Sequence, residues 1–172
     1  MNYNIEDIED QLICTLQNAT PDVSDIRTHS GEINFLMFQD SEYMEGLQSQ
    51  LPFVYVHYAS SLPMERSSEG SMQVHQLKFM FYVGASSLRV TQEAQRACYG
   101  MLRTIYDSIH ASWCDSVNTP ASVPAKLSGQ QILDTSFKQM TMFLRVAEDE
   151  KLMFQLPKIA VYQTSYLARF LA

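Results

Sequence analysis

No run of lysine or arginine occurs anywhere in the chain, and its formal net charge is −7. Proteins that grip nucleic acid neutralise phosphates with clustered cations, so that class of function is disfavoured. Charge of either sign is scarce: 18% of the 172 residues are charged, against the roughly 25% of an ordinary soluble domain. Gln, Ser, Thr and Tyr stand where charge is missing. A neutral surface of that kind tolerates burial against other proteins better than a charged one. The six glycines are scattered, with no GxGxxG and no P-loop signature, so no phosphate cradle is encoded. Cys14, Cys98 and Cys114 make an odd count without CxxC spacing, which fits reduced structural thiols in a cytoplasmic compartment. No apolar run reaches ~18 residues, so no transmembrane helix is expected. Residues 1–7 lack both a basic residue and an apolar stretch and do not read as a signal peptide.

The strongest pattern that is present lies between Val74 and Trp113. Leu77, Phe79, Phe81 and Val83 alternate with Gln76, Lys78, Met80 and Tyr82, the period of a strand with one strongly apolar face. From Thr91 the period changes. Ala94, Ala97, Cys98, Met101, Leu102, Ile105 and Ile109 fall at helical spacing, and Gln92, Gln95, Arg96, Arg103 and Asp107 avoid that stripe. The spacing predicts a helix over 91–112. A first helix is expected over 5–18, with Asn4 as its N-cap, acids in its first turns and a stripe of Ile5, Ile8, Leu12, Ile13 and Leu16. A short strand is expected near 25–29, a short helix over 41–50 and a strand over 53–58. Residues 60–71 and 114–129 read as long polar connections. Further strands are expected at 131–133, 137–147 and 158–170, with Glu148, Asp149 and Glu150 as a solvated turn between the last two.

This order predicts an α+β fold in one domain spanning residues 1–172. Consecutive strands favour hairpins and hence a mixed, mostly antiparallel β-sheet, with two main helices packed on one face. A chain of this size hides roughly 70% of its unfolded surface, enough for a core without staples. The opposite sheet face is left to solvent, loops or another subunit.

No chemistry-bearing constellation assembles from the sequence. His57 and His75 lie on strands that can be neighbours, where they can meet as a cross-strand pair, but neither has a third ligand at metal spacing. His110 and Cys114 stand four apart at the end of the long helix, a spacing that can orient a thiolate–imidazole pair, yet no oxyanion element accompanies them. Glu6/Asp7 and Glu9/Asp10 sit on a helix start. The expectation is no catalytic residue, no metal and no cofactor. Nine tyrosines, nine phenylalanines and ten methionines suit core packing or contact with partners, since stacking on nucleic acid needs interleaved cations. Within residues 60–71, Leu62, Pro63 and Met64 form an apolar anchor rimmed by Glu65, Arg66 and Glu69, which makes these six the candidate interface residues.

The ordered pieces resemble a known family. They are the Ile5-Glu6-Asp7-Ile8-Glu9-Asp10-Gln11-Leu12 helix opening, Leu51-Pro52-Phe53-Val54-Tyr55-Val56, and Lys78 to Arg89. Gln95-Arg96-Ala97-Cys98-Tyr99-Gly100-Met101-Leu102 and the closing Ile159 to Phe170 complete the series. Across almost the whole chain this resembles the Mu-like family of phage tail terminators in contractile-tailed phages and prophages. The family's Arg-Gly-rich segment before the long helix is replaced by Thr91-Gln92-Glu93. The resemblance implies a structural protein of the virion tail, assembled in the host cytoplasm as a ring, expected as a homohexamer. Its implied partners are the tail tube and sheath proteins and the head connector, with DNA passing through the lumen unbound and no membrane involved. Another tail completion, tube-like or baseplate component is the nearest alternative, and a small enzyme with a site between subunits is the more distant one.

Overall fold

A computed structural model describes residues 5–31, 40–66, 73–110, 113–115, 141–156 and 158–171. The first helix, α1 (Ile5–Ala19), buries Ile8, Leu12 and Leu16 and half-buries Ile5 and Ile13, the stripe expected from its spacing. It stops where Thr20 turns back, its backbone N–H and its Oγ1 both donating to Leu16 O at 2.8 and 2.6 Å, just before Pro21. The expected cap at Asn4 lies outside the described residues. Strand β1 (Asp25–Thr28) follows. Asp40 then opens α2 (Ser41–Gln50), its carboxylate accepting from Glu42 N at 2.9 Å in a side-chain N-cap.

Strands β2 (Phe53–Arg66) and β3 (Gln73–Ser86) form a long antiparallel hairpin. The polar stretch from Ser60 to Arg66 is therefore strand and not loop; the rest of the expected connection, up to Ser71, lies outside the described residues. Ser60, Ser61 and Leu62 pair with Lys78, Leu77 and Gln76. A register shift after Pro63 accommodates a residue that cannot donate to the ladder. Helix α3 (Thr91–Ile109) comes next, then β4 (Trp113–Asp115), β5 (Thr141–Leu156) and β6 (Ile159–Leu171). The helix ends three residues earlier than its spacing predicts, because His110 takes an extended ψ of 134°. Glu148, Asp149 and Glu150 are not a turn. They lie within β5, where register shifts on either side of Glu148 absorb the extra residues as bulges. The strand residues expected at 131–133 and 137–140 lie outside the described residues.

These strands join in one sheet of order β1-β2-β3-β6-β5-β4, in which β1 runs parallel to β2 and every other pairing is antiparallel. β6 sits mid-sheet between β3 and β5, in keeping with the mixed apolar character of both its faces. One sheet face carries Val54, Val56, Leu77, Phe79, Phe81, Val83, Ala160, Tyr162, Tyr166 and Ala168. It packs against the stripes of both α1 and α3. On α3 the buried set is Ala94, Cys98, Met101, Leu102, Ile105 and Ile109; Ala97, which falls at the margin of the stripe, is exposed. The opposite face carries Phe53, Tyr55, Met80, Tyr82, Ile159 and Val161 and is closed at one end by Leu47 and Tyr43 of α2. No helix among the described residues is long and apolar enough to cross a membrane.

Gly84 shows how tightly this second face is packed. It pairs with Phe53 across the β2–β3 ladder, and a Cβ there would overlap the Phe53 ring. Gly84→Ala is expected to lower unfolding free energy by about 1–3 kcal/mol, the usual cost of overpacking a filled core. Urea denaturation measures it. A change below the error of the midpoint would mean that Phe53 can move aside.

Candidate functional site

Of the six candidate interface residues, Leu62 to Arg66 lie on the distal half of β2, with Pro63 opposite His75 and Arg66 opposite Gln73. Glu69 lies outside the described residues. His57 and His75 do not meet across the hairpin. His57 faces Met80, and the shift between Tyr58 and Ser60 carries the register on until His75 reaches Pro63. His57 is instead tied to β1's continuation, its Nδ1 lying 3.0 Å from His29 O. A carbonyl only accepts, so that nitrogen carries the proton. His110 caps α3 and stacks on Tyr106 at 4.3 Å, while Cys114 belongs to β4 opposite Met142, so the two do not share one helix face. Among the described residues no group of three or more His, Cys, Asp or Glu side chains is placed to hold a metal ion. Two buried hydroxyls, Thr164 Oγ1 and Ser165 Oγ, have no hydrogen-bond partner among the described residues.

Two clusters stand out by geometry. The first is polar and sits where β1 edges the sheet. Tyr55 Oη donates to Asp25 Oδ2 at 2.8 Å and also contacts Gln50 Oε1. Arg27 donates to Tyr55 Oη at 3.1 Å and to Gln50 Oε1 at 2.9 Å, pairs with Asp25 at 3.3 Å and lies over the Tyr55 ring. Burial pushes the Tyr55 hydroxyl well above its ordinary range, so it stays a donor. Beside it a cleft of about 550 Å³ is lined by Glu9, Arg27, Thr28, His29, Ser30, His57 and Tyr58. Burial raises the Glu9 carboxyl, against the pull of the Tyr58 backbone N–H and of His57. These groups chiefly satisfy one another. Their evident work is to clamp β1 and the end of α2 onto β2, a parallel pairing of only four residues that needs such support.

The second cluster is aromatic. Tyr99, Leu102, Arg103 and Tyr106 of α3 and Tyr162 of β6 line a groove of about 600 Å³. Tyr99 and Tyr106 are 51% and 40% exposed, unusual for rings of this size lying so close to a core. The Tyr99 and Tyr162 hydroxyls lie 3.0 Å apart and their rings meet edge to face, which fixes the groove floor. Burial, helped by the Tyr99 hydroxyl, pushes Tyr162 up to about 12. Arg103 pairs with Asp107 along the outer rim at 3.7 Å. Behind the groove Cys98 is buried and donates to Ala160 O at 3.3 Å; burial pushes its thiol up to about 12, which makes it a packing residue and no nucleophile at neutral pH. Tyrosines with one arginine on a rigid helix face are the composition of binding hot spots. A composition that suits core packing and partner contact alike does not single out this groove. The signal in the sequence is that Tyr99, Arg103 and Tyr106 recur at helical spacing just outside the buried stripe.

Comparison with known proteins finds no family model that matches the chain and no curated protein that matches it.

Proposed function

We propose that the protein is a structural tail component, a terminator subunit that forms a ring on the end of a contractile tail tube, stops its polymerisation and joins it to the head connector. The observation that carries this reading is the near whole-chain resemblance, in order and spacing of its elements, to the Mu-like terminator family. The sheet with α1 and α3 on one face agrees with it. So does the distribution of exposed apolar side chains. Leu88, Val90, Tyr99, Tyr106 and Leu152 are all 40% exposed or more; Leu88 and Val90 lie just before α3, Tyr99 and Tyr106 on it, and Leu152 on β5. A subunit that works through contacts needs such a surface. The net charge of −7 suits a conduit, since an acidic lumen repels passing DNA. The distal half of β2, with Leu62, Pro63, Met64, Glu65 and Arg66, is proposed to reach the tube or a neighbouring copy; Glu69, the sixth candidate, lies outside the described residues.

The mass of the purified chain under native conditions tests the ring. A single closed oligomer, expected at six copies, agrees with it. A strict monomer at every concentration contradicts it and favours a small enzyme or a monomeric accessory factor.

A further inference from the structure

We infer that the cleft between α1, β1 and β2 binds a primary ammonium group, with the Glu9 carboxylate as its counter-ion and the Nε2 atoms of His29 and His57 as further acceptors. The site lies within one subunit and does not require a ring.

Two carbonyls decide which histidine nitrogens remain. Where β1 ends, the parallel pairing runs on for one more step. His29 N donates to Val56 O at 2.8 Å, and His57 Nδ1 returns a bond to His29 O at 3.0 Å. His29 Nδ1 in turn lies 2.7 Å from Gly31 O. The Gly31 N–H also approaches it, at 3.3 Å, but the shorter contact decides, because a carbonyl only accepts. Both Nδ1 atoms therefore carry the proton, and each neutral ring keeps its lone pair on Nε2. Both histidines line the cleft of about 550 Å³, and Glu9 lines it from α1. The Tyr58 backbone N–H takes one acceptor position of the Glu9 carboxylate and leaves the others.

Arg27 lines the same cleft and would point to an anion if it were uncommitted. Its guanidinium is spent on Asp25, Gln50 and Tyr55. What remains is a carboxylate and two lone-pair nitrogens, all acceptors. An ammonium carries three N–H donors and no acceptor, so it matches this set, whereas an anion would be repelled by Glu9. A metal ion demands its ligands closer together: among the described residues no such group is placed to hold one. An ammonium reaches its acceptors at about 2.7–2.9 Å and tolerates a bridging water. Tyr58, held against Phe79 at 5.6 Å, also lines the cleft and offers an alkyl stem an aromatic surface.

Glu9 itself is the second sign. Burial raises its carboxyl, Asp10 and Glu6 add to the shift, and the Tyr58 N–H and His57 oppose it. Among the described residues no Lys or Arg pairs with it. A half-buried carboxylate without a cation costs stability, and such groups concentrate at functional sites. A chain with a net charge of −7 also draws small cations toward its surface.

Isothermal titration calorimetry of the full chain with n-butylammonium chloride, at fixed ionic strength, tests the site. Saturable heat is expected. Tetramethylammonium, which has the charge but no N–H, is expected to bind at least about tenfold more weakly. Glu9→Gln keeps an oxygen for the Tyr58 N–H and drops the buried charge. It is expected to melt no lower than wild type and to bind n-butylammonium at least about tenfold more weakly, a split that a merely structural carboxylate would not give. Asp22→Asn, which removes an exposed acid, is expected to bind like wild type. An acetylated, amidated Gly-Lys-Gly peptide, with its Nζ-acetyl form as blank, separates the two sources of an ammonium. Tighter binding of the peptide than of the free amine identifies a partner protein's lysine, and the reverse identifies a small molecule. No saturable heat with either probe, equal binding of tetramethylammonium, or equal effects of Glu9→Gln and Asp22→Asn overturns the site. Should Glu9→Gln fail to fold, the tetramethylammonium and acetyl-lysine comparisons on wild type still decide.

Discussion

Leu102→Asp is expected to yield a chain that does not fold cooperatively. Leu102 is 4% exposed and sits in the cluster where α3 packs on Val83, Ala160 and the rest of the helix-covered sheet face. A carboxylate there has lost its water and gained no cation. The cost of an unpaired buried charge is several kcal/mol. Domains of this kind hold about 5–15 kcal/mol in all, so the substitution removes a large part of the margin or the whole of it. Tyr106→Asp, on the exposed flank of the same helix, is the matched control and is expected to fold. Circular dichroism through a urea titration separates the two. A Leu102→Asp protein with a wild-type midpoint would show that α3 does not bury this face.

The parts of the fold legible in the sequence are those with a strong local period. Leu77 to Val83 alternate because one face of β3 meets two helices, and the α3 stripe returns at helical spacing because it lies on that face. What could not be read depends on partners distant in sequence. Ser60 to Arg66 looks like a loop, with two serines and a proline. It is a strand because β3 offers it a complete ladder. Glu148 to Glu150 looks like a turn. In β5 the run is carried by bulges, which tolerate charge along a strand that β4 covers only at Thr141, Met142 and Phe143 among the described residues. The histidines follow the same rule. Whether His57 meets His75 or His29 depends on register and on a parallel neighbour, and neither is encoded locally. The groove was hidden for another reason. Tyrosine serves cores and interfaces alike, and only the burial of its neighbours tells which.

On the proposal that the chain is a tail terminator, the largest functional effect is expected when it is absent from the particle. Tube subunits add to a growing end until something incompatible with further addition occupies it. A terminator ring does so by presenting one face that matches the tube and another that does not. Removing it leaves a polymer with no stop, so its length becomes a matter of subunit supply. On that proposal the loss is all or none, unlike the graded effect of weakening one contact between subunits.

The most direct measurement is therefore the distribution of tail lengths, seen by electron microscopy, in particles made with the gene intact and with it inactivated. The expected result without the protein is tails of variable and excessive length that fail to join heads, with normal length restored by supplying the chain in trans. Tails of normal, uniform length joined to heads would contradict the account.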